Sequence, residues 1–126
     1  MQTSESLRRL VLEYYAAVNS HDEGALKERS VLTPGASMIG TDGGEWFVGH
    51  EGVQGAFARQ FIEYGDVVFE PGEVIAWAQD DAGWFLDQPT LVLGDQRTTC
   101  RCSGTALLVD GRWRIVQTHM SLPGGN

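Results

Sequence analysis

Leu7, Leu10, Val11, Tyr14 and Val18 recur at helical spacing after Ser4, with Arg8, Arg9 and Glu13 turned the other way. The pattern predicts a helix of about fourteen residues, with Ser4 or Thr3 as its cap. "NSHDEGALKERS" then turns the chain into a short second helix. Asp22 is placed to cap it, Glu23 suits the positive end of its dipole, and Ala25 and Leu26 supply its apolar contacts. "GASMIGTD" predicts the first strand. A third helix is expected from about Glu51 to Tyr64, with Val53, Ala56, Phe57, Phe61 and Tyr64 as its stripe and Gly65 where a C-terminal glycine belongs. Gly52 and Gly55 inside it weaken the helix or mark close packing.

From Asp66 onward the period changes to that of strands punctuated by turns. "VVFEPGEVIAWAQ" reads as one long strand bent at Pro71-Gly72, and "AGWFLDQPTLVLG" as the next, interrupted at Pro89. "QRTTCRCSGTALLV" and "RWRIVQTHMS" are the last two, joined by Asp110-Gly111, a strong hairpin signal. Helices gathered early and a meander late predict an α+β domain, three helices packed on one face of a strongly curved, mainly antiparallel sheet. Such a sheet leaves a cone with an open mouth. The whole chain, 1–126, reads as one domain with its core at about 5–122 and "LPGGN" as a frayed end.

Charge narrows the partners. Seventeen Asp and Glu against nine Lys and Arg give a formal charge of −8, which disfavours nucleic acid and anionic membranes. No apolar run approaches the ~20 residues of a membrane span, and "MQTSESLRRL" lacks a signal-peptide core. The expected location is the cytoplasm. Cys100 and Cys102 lie two apart in a strand-like stretch. Their side chains are nearly parallel, so buried free thiols are expected rather than a disulfide. No His or Cys stands near them at metal-ligand spacing. P-loop, G-x-S-x-G, HExxH and paired CxxC motifs are absent, so no metal and no cofactor is expected.

The order of elements, "NSHDEGAL" after the first helix and "DGRWRIVQTHMS" at the end resemble the nuclear transport factor 2-like superfamily, closest to its SnoaL-like branch. "IGTDGGEWFVG" is similar to the linker before the third helix in one SnoaL-like subgroup. The resemblance spans roughly residues 5–122. It implies a conical α+β barrel with an internal pocket, commonly a homodimer through the sheet. Members include isomerases and cyclases of steroid-like or polyketide substrates, an epoxide hydrolase, ligand carriers and assembly domains, so function does not follow from the fold.

Several residues are candidates for chemistry. In "MIGTDGGEWFVGH", residues 38–50, Gly43-Gly44 permits a tight bend flanked by Asp42 and Glu45. Asp42 either satisfies turn amides while Trp46 closes the core, or stands at a pocket mouth as a base with Trp46 as an aromatic wall. His119 either exchanges protons inside the cone or bonds to backbone. Arg101, in a strand of small and apolar residues, needs a carboxylate, either on a ligand or from Asp42, Glu73 or Asp87. Tyr14 and Trp84 serve as core or as cavity walls.

In the steroid isomerases a tyrosine and a protonated acid polarise the carbonyl while a second carboxylate moves the proton. This chain has a tyrosine on its first helix and an acid after its first strand, with Asp87 the nearest candidate for the second acid. Strand parity constrains any pairing of the two basic groups. An unbroken ladder from Asp110-Gly111 puts His119 on the face of Cys100 and Cys102, with Arg101 opposite; a bulge would reverse this. The expected function is binding of a small, largely apolar molecule, with acid–base chemistry on it. On that reading Asp42 and His119 are catalytic, and Tyr14, Trp46, Trp84 and Arg101 contact the ligand. The alternative is a non-catalytic dimerisation or assembly module whose pocket is vestigial.

Overall fold

Ser4 begins the first helix as an N-cap: its Oγ accepts the Leu7 N–H at 3.2 Å, and helix α1 runs Glu5–Asn19. The computed structural model describes residues 1–123. Every residue of the expected stripe is buried, and so are Tyr15 and Ala17. Asp22 caps α2 (Glu23–Glu28) by accepting the Ala25 N–H at 3.0 Å. Helix α3 runs His50–Glu63 and buries Val53, Ala56 and Phe57, whereas Tyr64 lies beyond its end and is exposed. Gly52 and Gly55 have open space around them, so close packing is not their reason.

Two strands were not anticipated. β1 (Gln2–Thr3) precedes the first helix and pairs with a later strand, β5 (Ile75–Gln79). β3 (Trp46–Val48) folds back antiparallel on β2 (Ser37–Ile39), so "WFV" is a hairpin arm rather than part of a linker. The remaining strands are β4 (Val68–Glu70), β6 (Ala82–Asp87), β7 (Thr90–Leu93), β8 (Gln96–Thr99), β9 (Arg101–Val109) and β10 (Arg112–Ser121).

The three long strands expected from the sequence each break. The first divides into β4 and β5 around Pro71-Gly72, the second into β6 and β7 at Gln88-Pro89, the third into β8 and β9 at Cys100. Pro89 cannot donate to a ladder, and its carbonyl instead accepts the Cys100 N–H at 2.8 Å. The breaks separate a seven-stranded sheet, ordered β1-β5-β6-β9-β10-β2-β3, from a three-stranded one, ordered β4-β7-β8. All pairings are antiparallel except β10 with β2. α1 packs against the large sheet through β5 and β10 and against the small one through β4. The fold is therefore α+β, three helices and a large curved sheet.

The turn between β9 and β10 is the two-residue hairpin expected, with Asp110 and Gly111 both at positive φ (52° and 79°). The ladder it starts is not continuous. Ile115 faces Ala106 and Gln117 faces Thr105, so Val116 is an extra residue on β10. On its other side, Ile115 donates its N–H to the Arg29 carbonyl and accepts from Val31, before β2 takes over the pairing from Gln117.

Close approach within the sheet requires glycine at Gly104, because a Cβ there would lie 2.3 Å from the Phe85 ring and 2.7 Å from the Gln117 carbonyl oxygen. Among the described residues, no helix is long and apolar enough to cross a membrane. The expected frayed tail lies largely outside the described residues, from Gly124 on.

Candidate functional site

Inward positions along β6 and β9 alternate with outward ones, and the inward set is small apart from one ring and one acid: Gly83, Phe85 and Asp87, then Cys102, Gly104 and Ala106. Small residues under the helices leave space. A cavity of about 580 Å³ lies there, walled by Tyr14, Phe57, Phe85, Met38 and Met120. Tyr14 meets Phe57 edge to face at 6.0 Å between ring centres. The rim is charged and exposed, with Asp42, Arg59 and Glu63 around the opening and the half-buried Glu45 beside them. The Arg59 guanidinium rests over the Phe47 ring, 5.5 Å from its centre.

The stretch 38–50 is thus both a turn and a lip. The Asp42 carbonyl accepts the Glu45 N–H, and the Glu45 carboxylate accepts the Asp42 N–H, both at 2.9 Å. This bend joins β2 to β3 and holds Asp42 at the cavity rim.

Buried polar groups gather behind the cavity wall. The Tyr15 hydroxyl donates to Asp87 Oδ2 at 2.8 Å, and the Gly72 N–H donates to the same carboxylate at 3.1 and 3.2 Å. Asp87 is only 5% exposed, so these two donors replace the water it lost. Burial pushes the Tyr15 phenol well above its ordinary range, helped by neighbouring Cys102 and Asp87. Burial also pushes the Cys102 thiol up to about 11 and raises the phenol of Tyr14. All three groups are protonated at neutral pH. Both cysteines are free and buried.

The candidates from the sequence separate into two places. Tyr14 and Asp42 line the cavity. Trp46 does not: Phe47 turns inward against Met38, so its neighbour Trp46 stands on the other face of the hairpin and is 70% exposed. Trp84 is also removed from the cavity wall, because Phe85 and Gly83 take the inward positions and leave Trp84 outward opposite Trp77.

Arg101 and His119 come together on the outer face. The extra residue Val116 shifts parity, so His119 faces Ser103 while Thr118 and Met120 turn into the cavity. Both basic groups line an outer groove of about 480 Å³ with Glu73, Ser103 and Ser121. Arg101 is exposed rather than half-buried and forms no ion pair among the described residues, although Glu73 shares the groove. Among the described residues Cys102 lines both the cavity and this groove, and Asp87 lines the groove.

Tyr15 was not singled out from the sequence, and Asp87 entered only as the nearest candidate for a second acid or as a partner for Arg101. Tyr15 continues the spacing Leu7, Val11, Tyr15, a second stripe beside the first. Asp87 occupies the inward register of Gly83 and Phe85, a position where an acid must find donors. Among the described residues no group of three His, Cys, Asp or Glu side chains is placed to hold a metal ion.

The model of the SnoaL-like domain family matches residues 7–124. The chain belongs to that family. Its structure is similar to that of a nuclear transport factor 2-like protein of unknown function from Pseudomonas putida KT2440, with a TM-score of 0.84 at 17% identity over 94% of this chain and 85% of that one. A proposed dehydratase of the same fold family from Streptomyces avermitilis matches with a TM-score of 0.82 at 13% identity, covering 96% of each chain. A proposed ketosteroid isomerase from Shewanella frigidimarina matches with a TM-score of 0.75 at 14% identity, over 90% of this chain and 92% of that one. At these identities the likeness is one of fold. No curated protein matches the chain.

Proposed function

We propose that this SnoaL-like chain binds a small, largely apolar molecule inside the cone. One observation carries the reading: a space of about 580 Å³ lies between helices and sheet, walled by apolar and aromatic side chains and open at a charged rim. A domain used only for assembly would gain stability by filling that space with its own side chains. The groups that meet the ligand are Tyr14, Phe57 and Phe85 as walls, Asp42 at the rim, and Tyr15 backed by Asp87 at depth. The proton-moving chemistry considered from the sequence falls to Asp42 and to the Tyr15–Asp87 pair, and His119 takes no part in it. The dehydratase and isomerase proposed for two relatives of the same fold are chemistries of this kind. We place the protein in the cytoplasm, where the free thiols of Cys100 and Cys102 stay reduced.

The test uses N-phenyl-1-naphthylamine, a neutral apolar fluorophore. Saturable binding at one site per chain, lost in Ala56→Phe, is the expected result, since Ala56 lines the cavity and a ring there occupies it. Equal binding to the variant would place the probe elsewhere and remove the cavity from consideration.

A second reading concerns the outer face of the sheet. Val48, Ile75, Leu86 and Leu107 are exposed there with Trp46, while Arg101 and Glu73 flank the groove between them. A surface that carries both signs of charge beside an apolar strip suits a two-fold contact with its own copy, Arg101 meeting the partner's Glu73. We propose a homodimer through this face. Sedimentation at micromolar concentration reads it directly; a monomer would reject it.

A further inference from the structure

Single apolar residues at a protein surface are ordinary. Three in this chain differ, because each is exposed and yet lines the cavity: Tyr64 is 57% exposed, Leu93 42% and Leu122 43%. They come from three elements, and each continues a cavity-facing register one step past the enclosed wall. On β7, Leu91 pairs with Phe69 of β4, and both line the cavity. Leu93 follows on the same face of β7, about 7 Å further along the strand. On β10, Met120 packs against the core, and Leu122 is the next residue of that parity, just past the end of the strand. On α3, Phe57, Gln60 and Tyr64 keep the spacing of one helical face, with Tyr64 at the open end. The apolar wall therefore outruns the space it encloses. A molecule lying wholly inside would leave these three side chains in water, whereas one that reaches the mouth would cover them.

We infer that the ligand is an elongated apolar molecule, longer than the enclosed part of the cavity, and that Tyr64, Leu93 and Leu122 form a lip that holds its outer end and selects for its length. This rests on the cavity being the binding site. The lip is continuous with the cavity wall, so its occupant is the molecule that fills the cavity. A docked protein would need a broader apolar patch, and here Asp42, Arg59 and Glu63 stand on the same rim.

The test is a series of rigid rods of equal width: trans-stilbene, 1,4-diphenylbutadiene and 1,6-diphenylhexatriene, each titrated by its own fluorescence. Wild-type affinity is expected to rise along the series, by about ten-fold from the first to the last. In Leu93→Asn with Leu122→Asn, both at exposed positions, that rise should vanish: the longest rod loses about ten-fold and stilbene hardly changes. Tyr64→Ser, on a separate element, should act in the same direction. Wild-type affinity that does not depend on length, or an equal loss for every rod in the variants, overturns the lip and leaves the cavity reading standing. So does unchanged binding of every rod by the double variant; a change in its sedimenting species would then assign the lip to a protein contact. Failure of both stilbene and N-phenyl-1-naphthylamine to bind the wild-type chain overturns the cavity reading itself, and the lip with it.

Discussion

The two faces of β6 and β9 are built from alternate residues of the same strands, yet they are made for different neighbours. Facing the helices stand Gly83, Phe85, Asp87, Cys102, Gly104 and Ala106, small residues interrupted by one ring and one acid. Facing away stand Trp84, Leu86, Arg101, Ser103, Thr105 and Leu107, larger and partly or fully exposed. The usual expectation places bulk inside and small or polar groups outside. Here the inner face is small, and the helices and a cavity of about 580 Å³ fit over it. The outer face is large and apolar beyond what water favours, 49% of Leu86 and 43% of Leu107 being exposed. On the functional reading proposed above, the difference separates a surface that encloses a ligand from one that meets a second copy.

Crowding the inner face should do the most damage. Gly104→Val puts methyl groups against the Phe85 ring and the Gln117 carbonyl, and is expected to cost ~3 kcal/mol in urea denaturation. Thr105→Val, one residue along on the outer face, should stay within ~0.5 kcal/mol. Equal losses at both would erase the contrast. Asp87→Ala comes next. It strips the Tyr15 hydroxyl and the Gly72 N–H of their buried acceptor, for a loss of ~2 kcal/mol, and Asp87→Asn should recover part of it. Full stability in Asp87→Ala would mean that water replaces the carboxylate.

Alkaline pH probes the inner face without a large substitution. The folded chain holds the Cys102 proton up to about 11, while the unfolded chain releases it near the ordinary thiol value of 9.0. Stability from this group is therefore complete below about pH 9 and is lost as the pH rises towards 11. Cys102→Ala should flatten the first part of that decline, before Tyr14 and Tyr15 begin to contribute. Burial also raises the Cys100 thiol, so an unchanged slope would assign the decline to Cys100 and the tyrosines. The smallest effect on folding is expected outside: Leu86→Lys with Leu107→Lys should leave the urea midpoint nearly unchanged but turn the sedimenting species into a monomer. A large loss of stability in that double variant would show that the outer face supports the fold itself.

How far the sequence could be read follows from the same division. Periodicity located α1, α2 and α3, because stripe and cap are local signals: Ser4 and Asp22 accept the N–H groups expected of them. The hairpin at Asp110-Gly111 was equally local. β3 was hidden because three residues are too few to display alternation, and the strand breaks at Pro71-Gly72 and Cys100 depend on the small sheet that β4, β7 and β8 build together.

The site was read less well than the frame. Asp42 and Tyr14 lie on its wall, whereas Trp46, Trp84, Arg101 and His119 lie outside it. Aromatic content marks a residue as costly to expose but does not say which face it takes. The Tyr15–Asp87 bond joins positions 72 residues apart, and neither residue announces the other along the chain.

The residue inserted at Val116 has a consequence for anyone comparing this chain with its relatives. Each position after it is assigned to the face opposite the one that simple counting gives, so Thr118 and Met120 line the cavity and His119 the outer groove. In a relative that pairs these strands without the extra residue, the histidine aligned with His119 would point at the ligand. The same letter in the same column would then be a reactive group in one protein and a surface contact in the other. A deletion of one residue here would exchange the contents of two compartments at once, a change that no single substitution on this strand can produce.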